Sequence, residues 1–297
     1  MKILNFGSLN IDYVYAVPHF VAAGETLSSD SRGVFCGGKG LNQSIALAKA
    51  GAEVYHAGCI GAEGGFLVDA LRGAGVDTRY VKTVSEPCGH AIIQVNIEGN
   101  NCIVLYGGAN EAITTDYADE VLKDFSAGDW IILQNEINVT PYVAHAAKAK
   151  GMTVVLNPSP YNARIEQISL DDVDYVLVNE TEGKMMSGGM TSPDDILSGI
   201  AARHPGIKTV LTLGGDGSVY CGDGVRVRQG IVPVKVVDTT AAGDTFTGYF
   251  IAEMSNGTDA ATSLKVAAAA AAIAVSRPGA SPSVPTREET DALVRTL

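Results

Sequence analysis

The sequence predicts an α/β protein built on a doubly wound, mostly parallel sheet with helices on both faces, together with a small second β-sheet. Short apolar runs of strand length alternate with segments of helical periodicity along most of the chain. No internal repeat or low-complexity linker divides the sequence, so we expect a single domain over residues 1–297. Two segments without helical periodicity, about 11–36 and 88–107, interrupt the alternation and predict the small sheet.

The chain begins with a predicted strand that leads into polar residues. Lys2 to Phe6 forms this buried strand, and Asn10 and Asp12 follow just after it. Ligands bind beyond the carboxyl ends of strands in open α/β sheets, which makes the pair a candidate for ligand binding. Local sequence alone favours an ordinary turn with an Asx cap. Further along, Ala91 to Tyr106 alternates as two strands around the turn at 98–101.

A glycine-rich segment, Gly33 to Gly40, precedes a predicted helix with Leu41, Ile45 and Ala48 on one face. The segment contains the G-x-x-x-x-G-K part of a phosphate-binding P-loop. However, Gly40 stands where a P-loop needs a serine or threonine for magnesium, and no clean buried strand comes before it. We therefore reject the P-loop interpretation. The two glycines before Lys39 instead allow a ligand to approach the backbone closely.

Several further predicted strands end in polar or glycine-rich residues. Their apolar runs are Trp130 to Leu133, Thr153 to Leu156, Tyr175 to Val178 and Thr209 to Leu213. Gln134 to Glu136 follows the first run, Asn179 to Glu182 follows the third, and Gly214 to Gly217 follows the fourth. After these, Val225 to Val237 is predicted to supply two more strands.

The stretch from Val237 to Gly248 leads from small residues into a predicted helix. Phe246, Phe250 and Met254 recur every four residues, which predicts a helix that begins near Ala241 and buries one face.

The first turn of that helix is suited to an anion. Ala241, Ala242 and Gly243 carry no capping side chain, so the first backbone N–H groups are free to bind a negative group. Asp244 lies in the same turn, where an acid is often only a partner of the helix dipole. Beside an anion site, its carboxylate can also accept a proton from a hydroxyl.

The composition argues against several partners. The net charge of −12, from 33 acidic against 21 basic residues, disfavours nucleic acid and anionic membrane surfaces. The five cysteines are scattered and lack a C-x-x-C pair, which favours reduced thiols in a cytoplasmic protein over disulfides or zinc. The longest apolar run, Val266 to Val275, is too short to span a membrane. The first residues resemble a strand rather than a signal peptide.

Two motifs in this order resemble the signatures of the ribokinase-like sugar kinases, also called the phosphofructokinase-B type. Gly37 to Asn42 matches the first signature, G-G-K-G-x-N, and Asp238 to Asp244 matches the second, D-T-x-A-A-G-D. An N-x-x-E element at 179–182 and the C-terminal loop at 277–285 extend the resemblance. The resemblance implies the fold of that family, with the small sheet forming a lid over the sugar that often serves dimerisation.

The same resemblance implies a catalytic set and a sugar-binding set. Asp244 is then the catalytic base, and Ala241, Ala242 and Gly243 form an anion hole beside it. The sugar ligands carried over in this way are Asn10, Asp12, Gly38, Lys39, Asn42, Glu136 and Asp244. Tyr249 departs from the small residue usual in the family, which concerns the packing of the helix rather than the chemistry.

Sites for a nucleotide and for metal ions are implied as well. ATP and Mg²⁺ are expected near Asn179, Glu182, Thr212, Gly214, Gly215 and Gly217. A monovalent cation, expected to be K⁺, is bound in the family by the residues that match Asp238, Thr240, Ala274, Arg277, Gly279 and Ser283. Asp216 departs from the polar or basic residue often found in the nucleotide loop. Since an acid near phosphates is unfavourable, we expect it to point to solvent.

The resemblance therefore predicts a carbohydrate kinase that uses ATP to phosphorylate the primary hydroxyl of a small neutral sugar, with ribose to ribose 5-phosphate favoured. The acids and amides of the sugar set suit a neutral polyol better than a sugar phosphate. Kinases of another furanose, a ketohexose or a nucleoside remain alternatives on the same scaffold. A catalytically silent sugar-binding protein is the alternative from another class, although binding alone needs no base beside an anion site. We expect a homodimer formed through the lid.

Overall fold

The computed structural model describes residues 1–297 and contains two sheets. The larger sheet has nine strands in the order β13-β12-β11-β10-β9-β8-β1-β4-β5. Their ranges are β1 (Ile3–Phe6), β4 (Val54–Ile60), β5 (Asp77–Thr83), β8 (Trp130–Gln134), β9 (Thr153–Asn157), β10 (Tyr175–Asn179), β11 (Lys208–Thr212), β12 (Ser218–Gly222) and β13 (Val225–Gln229). Neighbouring strands from β5 to β11 are parallel, and β12 and β13 add an antiparallel edge.

Nine α-helices connect and cover these strands. They are α1 (Lys39–Lys49), α2 (Gly65–Gly73), α3 (Thr115–Leu122), α4 (Thr140–Ala149), α5 (Glu180–Met186), α6 (Pro193–Arg203), α7 (Ala242–Ser255), α8 (Ala260–Val275) and α9 (Arg287–Val294). Asp259 caps α8 as its position before the alanine-rich run suggests, because its Oδ1 accepts from the amides of Ala261 and Thr262.

The apolar core is divided into two large clusters by the larger sheet. Successive residues of one strand belong to different clusters, as Ile131 and Ile132 of β8 do. One cluster packs the sheet against α3, α4 and α6, and the other packs it against α1, α2, α7 and α8. Helices therefore lie on both faces, and the predicted doubly wound arrangement is confirmed.

The helix α7 is more deeply buried than the sequence indicates. Phe246 and Phe250 are buried as predicted, but so is almost every residue from Asp244 to Glu253. The helix packs against both α1 and α8, which leaves it little solvent-exposed surface. A helix covered on several sides needs no single apolar face, so periodicity alone underestimates its burial.

One predicted strand is wrong. Val225 to Val237 contains only β13, and the segment after Gln229 is not a strand. Gly230 and Pro233 lie in this segment, and proline has no N–H group to donate to a sheet. The strand that pairs with β13 is instead β12, on its N-terminal side.

The smaller sheet has the strand order β3-β2-β6-β7. Its strands are β2 (Asn10–Ala16), β3 (Ser31–Gly37), β6 (Gly89–Val95) and β7 (Asn101–Tyr106). The sheet is mixed, because β2 is antiparallel to β3 but parallel to β6. Asn10 and Asp12 belong to β2 and not to a turn, so the expectation of a simple Asx turn is wrong. No helix of the protein is both long enough and apolar enough to cross a membrane.

Candidate active site

The candidate site lies where the first turns of α1 and α7 meet the end of β1. The two helices pack so closely that a Cβ added at Gly248 would lie 2.4 Å from the Cβ of Ala46. A Cβ added at Gly40, in the first turn of α1, would lie 2.4 Å from the amide nitrogen of Ser8, just beyond β1. Since only glycine permits these two contacts, the sequence fixes how near the three elements can come.

Asp244 lies in the first turn of α7 and is buried in this corner. Its Oδ1 accepts from Nε2 of Gln43 at 2.9 Å, and its Oδ2 accepts from Nδ2 of Asn42 at 3.1 Å. Oδ1 of Asn42 accepts in turn from the hydroxyl of Ser281 at 2.9 Å. Asn42, predicted as a sugar ligand, is thus engaged with the predicted base and with the C-terminal loop.

The backbone at the start of α7 has free donors, as an anion site requires. The N–H groups of Ala241, Gly243 and Asp244 have no acceptor within the chain, whereas that of Ala242 donates to the carbonyl of Thr239 at 3.2 Å. The amide of Ala242 is therefore not available to an anion, whereas the amide of Asp244 is available. Unpaired donors at the positive end of a helix stabilise negative charge on a phosphoryl group.

Asn10 and Asp12 lie at the start of β2, close to the main sheet. Oδ1 of Asn10 accepts from Nδ2 of Asn110 at 2.7 Å, which holds the side chain in place. The carboxylate of Asp12 lies against Gly37 of β3, where an added Cβ would come within 2.1 Å of its Oδ2. Gly38 follows with a φ of 92°, a left-handed value that favours glycine at the entrance to α1.

Glu136 joins the end of β8 to the start of α1. Its Oε2 accepts from the amide of Lys39 at 2.9 Å and from the hydroxyl of Ser8. Burial raises the pKa of Glu136 in spite of these donors and the Lys39 ammonium. Burial, together with the nearby Glu136 carboxylate, also raises the pKa of Asp12 to about 7. Both acids therefore occupy a poorly hydrated space.

Lys39 is the only basic residue among the predicted sugar ligands. Burial alone would lower the pKa of its ammonium group, but the carboxylates of Asp244, Glu136 and Glu182 outweigh burial and raise the pKa. The side chain lines a cavity of about 110 Å³ that Asp244 and Glu182 also line. A charged ammonium at this position is suited to contact a phosphoryl group during its transfer.

A larger cavity of about 570 Å³ adjoins the smaller one, since Asn179, Thr212 and Gly243 line both. Three of its further lining residues are the predicted nucleotide residues Gly214, Gly215 and Gly217. The rest is largely apolar, from Gly230 to Val234 and from one side of α8. Apolar walls beside a glycine-rich backbone suit the base of a nucleotide. Asp216 is exposed, as expected for an acid in this loop.

Asn179 and Glu182 form a capping box at the start of α5. Oδ1 of Asn179 accepts from the amide of Glu182 at 2.9 Å, and Oε2 of Glu182 accepts from the amide of Asn179 at 3.0 Å. Both residues also line the smaller cavity. Mg²⁺ is usually held by one or two carboxylates together with water and substrate phosphates. The second carboxylate oxygen of Glu182, which lies outside the capping box, fits such a site.

Two loops meet at the predicted monovalent cation site. Oδ2 of Asp238 accepts from the amide of Gly279 at 2.9 Å, and Oδ1 accepts from the amide of Thr240 at 2.9 Å. Burial alone would raise the pKa of Asp238, but the hydroxyl of Thr240, which also donates to Oδ1, and the two amides lower it. Arg277 pairs with Glu289 at 2.6 Å, so its backbone carbonyl is the group left for a cation. Carboxylate and carbonyl oxygens are suitable K⁺ donors.

The C-terminal loop that contributes to this site is anchored on α7. The hydroxyl of Tyr249, which is fully buried, donates to the carbonyl of Pro285 at 2.9 Å. The departure at Tyr249 therefore leaves α7 intact and adds a contact to the loop. The hydroxyl of Ser283 donates to the carbonyl of Ala280 at 2.7 Å, and Ala274 lies in the last turn of α8.

Five polar residues that hold the predicted ones in place were not predicted as site residues: Asn5, Ser8, Gln43, Asn110 and Gln134. Asn5 and Gln134 could have been identified from the sequence, because each is the one polar residue of an otherwise apolar strand. A fully buried polar side chain needs hydrogen-bond partners. Asn5 finds them for both ends of its amide, and Gln134 finds them for Nε2, whereas its Oε1 has none. Gln43 carried no comparable signal beyond its place next to Asn42.

Comparison with known proteins agrees with this fold and geometry. The family model described as "pfkB family carbohydrate kinase" matches residues 1–287, so the chain belongs to the pfkB family of carbohydrate kinases. The predicted family and class of enzyme are therefore confirmed.

Three relatives illustrate the similarity. The ribokinase of Haemophilus influenzae is 36% identical over 293 residues, which cover 96% of this chain and 95% of that protein. The ribokinase of Staphylococcus aureus is 34% identical over 298 residues, with 97% of this chain and 98% of that protein covered. The solved structure of Arabidopsis thaliana ribokinase complexed with ribose and ATP has a TM-score of 0.89 and 33% identity, and covers 99% of this chain and 98% of that chain.

The raised pKa of Asp12 predicts a pH-dependent stability. The folded protein holds the Asp12 proton up to a pH of about 7, while the unfolded chain releases it near 3.8. The free energy of unfolding should therefore fall as the pH rises through this window. Asp12→Asn removes the buried charge, so its melting temperature relative to the wild type should rise by roughly 2–5 °C between pH 5 and pH 8.

Thermal unfolding of the ligand-free proteins at the two pH values measures this difference. Asp69→Asn is a matched control, because the side chain of Asp69 is 78% exposed. The control should show the same difference from the wild type at both pH values. A pH-independent difference for Asp12→Asn would show that its carboxyl group titrates normally.

Proposed function

We propose that the protein transfers the γ-phosphoryl group of ATP to the primary hydroxyl of a small neutral sugar, with ribose to ribose 5-phosphate as the favoured reaction. One observation carries the proposal above all. The buried carboxylate of Asp244 lies beside unpaired amides and lines the smaller cavity, which adjoins the cavity lined by the glycines of the nucleotide loop. Glu136 lies near both Asp244 and Asp12.

The geometry supports a direct in-line transfer. Asp244 takes the proton of the sugar hydroxyl, and the hydroxyl oxygen attacks the γ-phosphorus while the bond to the β-phosphate oxygen breaks. The amides of Gly243 and Asp244, with the ammonium of Lys39, stabilise the charge of the phosphoryl group. When bound, Mg²⁺ would neutralise phosphate charge, and Glu182, which lines the smaller cavity, would hold it.

Ribose is favoured over the other candidate substrates for two reasons. The curated relatives reported above are named ribokinases, and one related structure was solved with ribose and ATP. In addition, Asp244, Glu136 and Glu182 surround the single ammonium of Lys39, and Asp12 lies near Glu136. Such an acidic pocket repels a sugar that already carries a phosphate. None of the proposed sugar ligands is aromatic, which disfavours stacking on a nucleoside base.

A sugar panel with the Asp244→Asn variant tests the proposal. We expect ATP consumption with ribose and magnesium, much weaker activity with 2-deoxyribose, fructose 1-phosphate and adenosine, and none when magnesium is chelated. Asp244→Asn keeps the shape but removes the proton acceptor, so turnover should fall about 10²–10⁴-fold with sugar affinity changed far less.

The panel also separates the alternatives. Faster phosphorylation of adenosine or fructose 1-phosphate than of ribose would exclude ribose as the substrate but keep the kinase. Near-normal turnover of Asp244→Asn would exclude it as the base. Sugar binding by calorimetry without any ATP consumption would instead support the silent sugar-binding protein.

A monovalent cation is proposed at the junction of the 238–240 and 274–283 segments. The contact between Asp238 and Gly279 brings the two segments together, and the segment around Asp238 leads directly into the first turn of α7. A K⁺ ion there would stabilise the anion site without touching the substrate.

We therefore expect turnover to rise severalfold when K⁺ replaces choline at constant ionic strength. Asp238→Asn should lose most of this activation, because it removes the carboxylate charge but keeps the size of the side chain. The rate of ATP consumption with ribose measures both effects. Equal wild-type rates in the two salts would contradict the cation site.

The smaller sheet is proposed to act as a lid and as a dimer interface within a single-domain protein. Register and alternation place Val34, Ile92 and Val104 in one row on the face opposite Asp12. Their exposures are 46%, 42% and 63%, and such an apolar row is expected to be covered by another protein surface. The occupant proposed is a second copy of this chain.

The five free cysteines fit a reducing, cytoplasmic location.

Light scattering at micromolar concentration tests the dimer. The wild type should give twice the 30.8 kDa chain mass, and Val104→Asp should give the single-chain mass, because a charge would be buried in the interface. Val225→Asp, at an exposed valine of the larger sheet, is the control that should remain dimeric. A monomeric wild type would remove the dimer proposal.

A further inference from the structure

Three buried amide side chains form a continuous hydrogen-bonded chain that ends on Asp244. Nδ2 of Asn5 donates to the carbonyl of Gly40 at 2.8 Å, and Nε2 of Gln134 donates to Oδ1 of Asn5 at 3.0 Å. The same Nε2 donates to Oε1 of Gln43 at 2.8 Å, and Nε2 of Gln43 donates to Oδ1 of Asp244 at 2.9 Å. The three amide residues are completely buried, and Asp244 is 7% exposed.

The direction of every donor in this chain is fixed at its far end. A backbone carbonyl can only accept, so the Nδ2 of Asn5 must face Gly40 and its Oδ1 must face Gln134. Gln134 must then present its N–H groups, and Gln43 must receive one of them on Oε1. As a result, Gln43 can only direct an N–H group at Asp244. The hydrogen-bonded chain therefore has one fixed donor-to-acceptor direction across four elements, β1, β8, α1 and α7.

The other carboxylate oxygen of Asp244 is held in the same manner. Asn42 donates to Oδ2, and its own oxygen accepts from the hydroxyl of Ser281. The side-chain amides of two consecutive residues of α1, Asn42 and Gln43, therefore hold one carboxylate oxygen of Asp244 each. Since a reversed amide would place its oxygen against the carboxylate, the two amides together fix the orientation of the Asp244 carboxylate.

We propose that Gln43 is a positioning residue for Asp244, and that Asn5 and Gln134 act through it by fixing the orientation of its amide. The inference rests on the proposed role of Asp244 as the base. Gln43 acts through Asp244, because its amide donates to Oδ1 of that carboxylate. It keeps the carboxylate in one rotamer and stabilises the negative charge that must be present before a hydroxyl proton can be accepted.

Gln43→Met tests the proposal, because methionine keeps the length of the side chain but removes the donor. The acidic limb of the pH profile of kcat should move upward by about one pH unit, since the ionised carboxylate loses a charge-assisted hydrogen bond. At neutral pH, kcat should fall about tenfold or more, with KM for the sugar changed less than threefold. Gln134→Met, which leaves Gln43 in place but frees its amide, should move the limb in the same direction by a smaller amount.

A direct titration separates this inference from the proposed function. With ¹³C-carboxyl aspartate labelling and Asp244→Asn to assign the signal, the pKa of Asp244 should rise in Gln43→Met whether or not the sugar has been identified. Ser44→Ala is the matched control, because it removes a buried hydrogen bond of 2.8 Å to His56 from the same helix. It should lower the melting temperature without moving the Asp244 signal or the acidic limb.

Each result has a definite meaning. An unmoved Asp244 titration and an unmoved acidic limb in Gln43→Met would overturn the positioning role while leaving the kinase intact. A moved titration in a protein that consumes no ATP would uphold the contact and reject the proposed function. If Gln43→Met fails to fold, an unmoved titration in Gln134→Met would overturn the role in the same way.

Discussion

The close approach of α1 to α7 is the constraint on which the site depends. Asp244 belongs to α7, but the amides that hold it belong to α1, and they can reach it only because the helices touch at Gly248. At the other end of α1, Gly40 permits the same approach to the chain beyond β1. Larger side chains at these glycines would separate Asp244 from the amides that hold it, so the geometry of the proposed base depends on this packing.

Around this corner the charges are arranged for binding rather than for stability. Burial raises the pKa values of Asp12 and Glu136, which means that both carboxylates are less well solvated than in water. The hydroxyl groups of a polyol can return hydrogen bonds to them, whereas a phosphate cannot. The site therefore contains poorly solvated carboxylates whose missing hydrogen bonds a polyol can supply. The ammonium of Lys39 is the positive charge that offsets the negative charge of Glu136.

The fold and the candidate site residues were predictable from the sequence to different extents. Apolar runs such as Trp130 to Leu133 indicated the buried parallel strands, and the motif ending at Asp244 indicated an anion site beside an acid. The strand β5 was missed because five of its seven residues, Asp77, Thr78, Arg79, Lys82 and Thr83, are polar or charged, and because it lies at the edge of the sheet. The chain from Asn5 through Gln134 to Gln43 was not predictable, because its contacts link residues 91 and 129 positions apart.

The smaller sheet combines a fixed end with an uncovered one, and this bears on how sugar binding is controlled. Asn10 is held by Asn110 at the end next to the larger sheet, where the proposed sugar ligands lie. At the outer edge, every residue of β7 is exposed, so this strand is held mainly by its pairing with β6. The fixed end gives the ligands a set geometry before the sugar arrives, which reduces the entropy lost on binding. The exposed outer strand can gain further stability only by contact with another protein surface. The order of the smaller sheet and the occupancy of that contact surface are therefore thermodynamically linked.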